Sequence, residues 1–236
     1  MKILNFYNVK GGTGKSSLSY LSGLYLAEKG NKVLFLDLDP QASLSNRLLI
    51  ERPSKTIFNL LAENESPLDC IVSINKNVFL LPSELKLNKV LNGIPENTIR
   101  KVLKNLKFDY VIIDNPPSWN SLVISGISAS NKIFIPTLLS QNDLDSAYFT
   151  LNEVKEINEE IQACIILNRA SKKESKEEID YFNFYNFNSL VVRFQNSTGL
   201  KRVIDRGESL DSKRNLILKE SIGNLFYESE LIVWNI

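Results

Sequence analysis

The chain has 236 residues, with 28 Lys and Arg against 27 Asp and Glu, two cysteines and no histidine. The missing histidine excludes a Ser-His-Asp triad, a histidine acid/base step and histidine-ligated metal sites; two thiols, Cys70 and Cys164, are too few for a disulfide framework or a four-cysteine zinc site. A net charge of +1 gives no global electrostatic case for nucleic acid or membrane, so any such binding must come from a local patch.

The predicted elements alternate between strand and helix. Residues 2–7 read as a short strand, and residues 16–29 as a helix with Leu18, Leu21, Leu24 and Tyr25 at helical spacing and Gly30 as its stop. Residues 32–38, running Lys-Val-Leu-Phe-Leu-Asp-Leu, read as a buried strand. A short helix over Thr56–Leu61, a strand over Val78–Leu81 and a helix over 97–106 follow. Tyr110–Asp114 is a second continuous apolar strand ending in an acid, and further strands fall at Lys132–Pro136, Ala163–Asn168 and Leu190–Phe194. Helices are predicted over 142–160, 174–182, 199–206 and 214–229. This alternation implies an α/β fold, a mainly parallel twisted sheet with helices on both faces. No linker or repeat divides residues 1–236, which read as one domain. No apolar run approaches the roughly 18 residues that span a bilayer, and the apolar start of the chain is too short for a signal peptide. With its two lone thiols, the chain reads as cytoplasmic.

The strongest motif is Lys10-Gly11-Gly12-Thr13-Gly14-Lys15-Ser16-Ser17, between the first strand and the first helix. Glycines let backbone N–H groups close around phosphates, and a helix N-terminus adds its dipole. Lys15 would reach the β- and γ-phosphates and the Ser16 hydroxyl would bind Mg²⁺. The strict phosphate-loop pattern needs a glycine at position 9, where Val9 stands; the variant with Lys10 ahead of two glycines is intact. Asp37 and Asp39 close the second strand and Asp114 the later one, all on the edge that carries the loop. Acids there can hold Mg²⁺ through its water shell or orient an attacking water.

The set Lys10–Ser17, Asp37-Leu38-Asp39-Pro40-Gln41-Ala42-Ser43 and Asp114-Asn115-Pro116-Pro117-Ser118 resembles the ParA/Soj group of partition ATPases, within the deviant Walker A superfamily that also holds MinD. Leu81-Pro82-Ser83, Ile135-Pro136 and Leu167-Asn168-Arg169 fall where that family has similar strand ends. The resemblance implies a three-layer P-loop NTPase fold and a slow, partner-stimulated ATPase for plasmid or chromosome partition. It implies Lys10, Lys15 and Asp39 as catalytic residues, Lys10 reaching across an ATP-dependent homodimer to the partner's nucleotide. Gly11, Gly12, Thr13, Gly14, Lys15, Ser16 and Ser17 would hold the phosphates, and Asn168 would read adenine. Mg²⁺ would sit with Ser16, Asp37 and Asp114. Around Phe194–Asn196 the family often has a Pro-Arg pair; here the run is Arg193-Phe194-Gln195-Asn196.

The resemblance further implies a ParB-like adaptor, non-specific DNA binding by the ATP dimer, and nucleoid association in that state. Residues 199–219 carry six basic and three acidic residues, and both flanks are net acidic. Lys201, Arg202, Arg206, Lys213 and Arg214 are therefore the candidate DNA-binding residues. The chain starts at its first strand, so no helix-turn-helix is expected ahead of it. Three alternatives stand beside this reading. A MinD-like membrane ATPase would use the stripe Leu218, Ile222, Leu225 and Phe226; stable membrane association is not expected. An iron-protein-like reductase would use the cysteines. A ParA-like switch could instead position a protein cargo.

Overall fold

Successive residues of the central strands point to opposite faces, and both faces are apolar. The computed structural model describes residues 1–170, 176–187, 189–195, 199, 202–204, 208–210 and 212–231. Among these, eight strands form one sheet: β1 (Lys2–Phe6), β2 (Val33–Asp37), β3 (Val72–Ser73), β4 (Val78–Leu81), β5 (Tyr110–Asp114), β6 (Lys132–Thr137), β7 (Gln162–Ala170) and β8 (Leu190–Gln195). Their order is β3-β4-β2-β5-β1-β6-β7-β8. Every pairing is parallel except the short antiparallel β3–β4 pair at the edge.

The helices among the described residues include α1 (Lys15–Glu28), α2 (Ser43–Leu48), α3 (Ile57–Glu63), α4 (Pro67–Cys70), α5 (Thr98–Leu103), α6 (Ser121–Ala129), α7 (Gln141–Ile157), α8 (Lys176–Tyr185) and α9 (Leu216–Leu231). On one face, Leu4, Phe6, Phe35, Ile112, Phe134, Ile166 and Phe194 pack with Leu18 and Leu21 of α1 and with Leu218, Ile222, Leu225 and Phe226 of α9. On the other, Ile3, Leu34, Leu36, Val111 and Ile113 meet α3, α5 and α6, while Ile133, Ile135, Ile165 and Leu167 meet α6 and α7. The three-layer α/β fold expected from the sequence is therefore observed.

The boundaries shift by one to three residues at most of the expected elements, and several short elements were not expected. These are α2, α4, β3, a 3-10 segment over Leu85–Val90 and the fully formed α6. The α6 sequence, SLVISGISA, mixes serine, glycine and β-branched residues, all weak helix formers. It folds because the Asn120 side chain caps it, accepting from Val123 N at 3.0 Å, and because Leu122, Val123 and Ile127 are buried. Half of the helix expected over 199–206 falls outside the described residues, as does the start of the one expected over 174–182; residues 199 and 202–204 are helical.

The stripe Leu218, Ile222, Leu225 and Phe226 is core, at most 8% exposed, so it is not a free membrane-binding face. No helix among the described residues is long and apolar enough to cross a membrane. Cys70 and Cys164 are both buried, in separate core clusters, which removes the basis for a cysteine-held cluster.

Helix α1 lies close against β2. A Cβ at Gly23 would fall 2.1 Å from the Phe35 ring, which is itself fully buried and has nowhere to go. Gly23→Ala is therefore expected to destabilise the fold by about 1–3 kcal/mol, read as a lower midpoint in thermal or urea unfolding. An unchanged midpoint would show that the helix can ride up at no cost.

Candidate nucleotide site

Strands β2, β5 and β1 end level with one another: Asp37 pairs with Asp114, and Asp114 with Phe6. The chain leaves β1 as the glycine-rich loop and enters α1 with Gly14 as the N-cap, at φ 102°. No side chain caps this helix, so its first N–H groups are left to an anion. Gly12 is also left-handed, at φ 77°. Lys15 is buried and donates from Nζ to the Lys10 carbonyl at 2.9 Å, so the loop closes around its own lysine. Burial pushes the Lys15 pKa down, opposed by the nearby charges of Asp114 and Asp39.

The two strand-end acids are both fully buried but are held differently. Asp37 accepts from Ser45 N at 2.8 Å, Ser45 Oγ at 2.7 Å and Asp39 N at 3.1 Å. Burial still lifts its pKa above the usual carboxylate range, against those hydrogen bonds. Asp114 is raised further, first by burial and then by the neighbouring Asp37 charge. The Ser16 hydroxyl and Lys15 oppose that rise, but neither Asp114 oxygen makes a hydrogen bond of normal geometry. Asp39 is less buried; its Oδ1 accepts from Gln41 N at 2.8 Å in a tight turn. That turn leads through a left-handed Ala42, φ 53°, into α2 and so delivers Ser45 to Asp37.

Buried polar atoms without partners around the loop include Thr13 Oγ1 and both oxygens of Asp114. An all-oxygen set of Ser16, Asp37 and Asp114 suits a hard cation such as Mg²⁺ better than a thiophilic metal.

Lys10 does not share the fate of Lys15. Its Nζ forms an ion pair with Asp143 Oδ1 at 2.9 Å, with side-chain exposures of 34% and 8%. Asp143 lies in the first turn of α7, and its second oxygen accepts from the Ser140 hydroxyl that caps the helix. The same helix reaches the loop's base: Val9 N donates to Thr150 Oγ1 at 3.3 Å, and Thr150 Oγ1 donates at 3.4 Å to Asn8 Oδ1, which also accepts from Lys10 N at 2.9 Å. Sequence reasoning did not single out Asp143, Ser45 or Thr150. The Ser140-x-x-Asp143 spacing signals a helix start but says nothing of Lys10.

Asn168, at the end of β7, does meet the loop, but through backbone: Nδ2 donates to the Thr13 carbonyl at 2.7 Å. Ser17 lies in the first turn of α1 beside Ser16, and a Cβ built on Gly11 would lie 4.0 Å from Pro117 Cγ on the loop after β5. Of the expected basic patch, only part lies within the described residues. Lys201, Arg206, Asn196 and the side chain of Arg214 lie outside the described residues. Arg202 is turned inward, bonded through Nε to Asn215 Oδ1 at 3.1 Å and facing Glu208 at 3.8 Å. Lys213 is exposed.

The sequence signature described as "AAA domain" (AAA_31) matches residues 1–167. Over 212 residues the chain is 27% identical to the chromosome-partitioning ATPase Soj of Treponema pallidum, covering 81% of this chain and 83% of that protein. Over 224 residues it is 27% identical to the maintenance of carboxysome distribution protein A of Synechococcus elongatus, covering 86% and 89%. A solved Cyanothece McdA variant in complex with ATP matches with a TM-score of 0.85 at 25% identity, over 97% of this chain and 96% of that one. The chain belongs to the AAA-domain family of ParA/MinD-type P-loop partition ATPases.

Because Asp114 titrates above the ordinary carboxylate range when folded, its ionisation opposes folding. The wild type has its full stability below the unfolded-state value, about 3.9, and loses part of it as pH rises through the folded-state value. Asp114→Asn removes that loss, so without nucleotide and Mg²⁺ the variant is expected to unfold later by about 1–2 kcal/mol. The advantage should grow from pH 5 to pH 9. A less stable variant, or a pH-independent difference, would contradict this account of the site.

Proposed function

We propose that the chain is a ParA-like, ATP-dependent partition switch, in which residues 1–236 act as one ATPase domain. The observation that carries this reading is the different setting of its two loop lysines. Lys15 is buried in its own loop, whereas Lys10 stands at the rim, paired with α7 and a third exposed. A lysine needed only for its own phosphates has no reason to be there; one that serves a second protomer does.

In this reading the amides of Gly11, Gly12, Thr13 and Gly14 and the Lys15 ammonium receive the ATP phosphates, Ser17 contacts the α-phosphate and Asn168 lies toward the base. Ser16, Asp37 and Asp114 would hold Mg²⁺, which when bound neutralises charge on the phosphate oxygens. Asp39 orients the attacking water. Two protomers meet face to face, and each Lys10 leaves Asp143 to complete the other's site. Loss of the γ-phosphate contacts then releases the pair, a step stimulated by a ParB-like adaptor. The similarity to Soj supports DNA as the cargo. The similarity to McdA supports a second reading, a protein assembly as cargo on the same switch.

Two outcomes are expected. Asp39→Ala keeps ATP-dependent dimerisation in sedimentation but loses phosphate release; normal turnover would remove Asp39 from its role. In filter binding, the wild type retains mixed-sequence DNA only with ATP, less at higher salt, and Lys10→Ala does not. Retention that ignores both ATP and salt would contradict the proposed switch.

A further inference from the structure

At its end β7 departs from regular geometry. Its register with β8 shifts between Asn168 and Ala170, and Arg169 adopts φ 56°, a conformation arginine rarely takes. The result is that Asn168, only 7% exposed, turns onto a loop 155 residues earlier in the chain. Its amide orientation is fixed from both ends: Nδ2 donates to the Thr13 carbonyl at 2.7 Å and Oδ1 accepts from Arg169 N at 2.9 Å. The approach is so close that a Cβ on Gly14 would lie 2.2 Å from Nδ2. The glycine at 14 therefore serves Asn168 as well as the left-handed turn.

A trans peptide points its carbonyl and its N–H in opposite directions. Holding the Thr13 carbonyl toward Asn168 consequently turns the Gly14 N–H the other way. We propose that Asn168 is a positioning residue for the phosphate loop: it locks the Thr13–Gly14 peptide so that its N–H serves the polyphosphate. This rests on the loop being a phosphate site, and it gives Asn168 a role that does not depend on which base is bound. Its removal weakens every ligand that carries the same phosphates.

The test uses the full chain with Mg²⁺ in wild-type form and as Asn168→Ala and Asn168→Leu, the second keeping the side-chain volume. ATP, GTP and inorganic tripolyphosphate compete against a fluorescent ATP analogue. Both variants are expected to bind all three about tenfold more weakly, with the ATP-to-GTP ratio changed by less than about twofold. Amide exchange across residues 10–16 should accelerate while the central strands keep their protection, which general destabilisation would not produce. The proposal is overturned if tripolyphosphate binding is unchanged while ATP binding falls, or if the strands lose protection together with the loop. Should the alanine variant fail to fold, the leucine variant decides by the same criteria. A wild type that binds the ATP analogue but is not displaced by tripolyphosphate overturns this role alone. A wild type that binds no nucleotide overturns the phosphate-site reading and this role with it.

Discussion

Two carboxylates, Asp37 and Asp114, lie side by side and fully buried at the ends of adjacent strands. Like charges in a low-dielectric setting repel and forgo water, so each needs compensation or a proton. The upper edge of the sheet is organised around that need. Asp37 is compensated locally, by the backbone and hydroxyl of Ser45 and the backbone of Asp39. Helix α2 delivers Ser45 on the same short segment that buries Leu44 in the core; the Ser45 hydroxyl also accepts from Ser83 N at 2.9 Å and so ties the turn to the end of β4. Asp114 receives no comparable bonds, and the buried ammonium of Lys15 opposes the rise of its pKa. The apolar strands beneath, buried on both faces, supply the stability against which this arrangement is set.

The phosphate loop is likewise not self-sufficient. Its base is held through Asn8, whose Nδ2 donates to the Pro136 carbonyl at 2.9 Å, and through Val9 on Thr150. Its middle is held by Asn168 on Thr13, and its first lysine by Asp143. All of these partners come from β6, α7 and β7, on the far side of β1 from the acids. The loop is thus a bridge between two halves of the sheet, with the carboxylates on one side and its clamps on the other.

The central strands and the loop were legible because their signals are local: Val33–Asp37 and Tyr110–Asp114 are apolar runs each closed by an acid, and the glycines and lysines of 10–15 stand at fixed offsets. Helix α6 was not, because its residues have low helix propensity and only burial makes them helical. The clamps were invisible for a different reason. Asn168 and Thr13 are 155 residues apart, Asn8 and Pro136 are 128 apart, and nothing in either sequence neighbourhood marks the other. Asn168 was noticed as a strand-end residue, but its backbone partner could not be read. For the basic segment, charge counting carries no geometry: it could not foretell that Arg202 is engaged with Asn215 and Glu208.

Lys10 already has an anion. Asp143 is nearly buried, so the pair is screened less by salt than a surface contact would be. Withdrawing the lysine leaves Asp143 with the Ser140 hydroxyl, and an uncompensated buried charge costs about 3–5 kcal/mol. Any group that draws Lys10 away must outbid a carboxylate, so what is gained is the difference between two anions. A single negative charge offers little advantage over the one in place; several clustered together offer much more. The rim lysine is in effect an anion exchanger, tuned to how many charges an incoming group carries more than to whether it is charged at all.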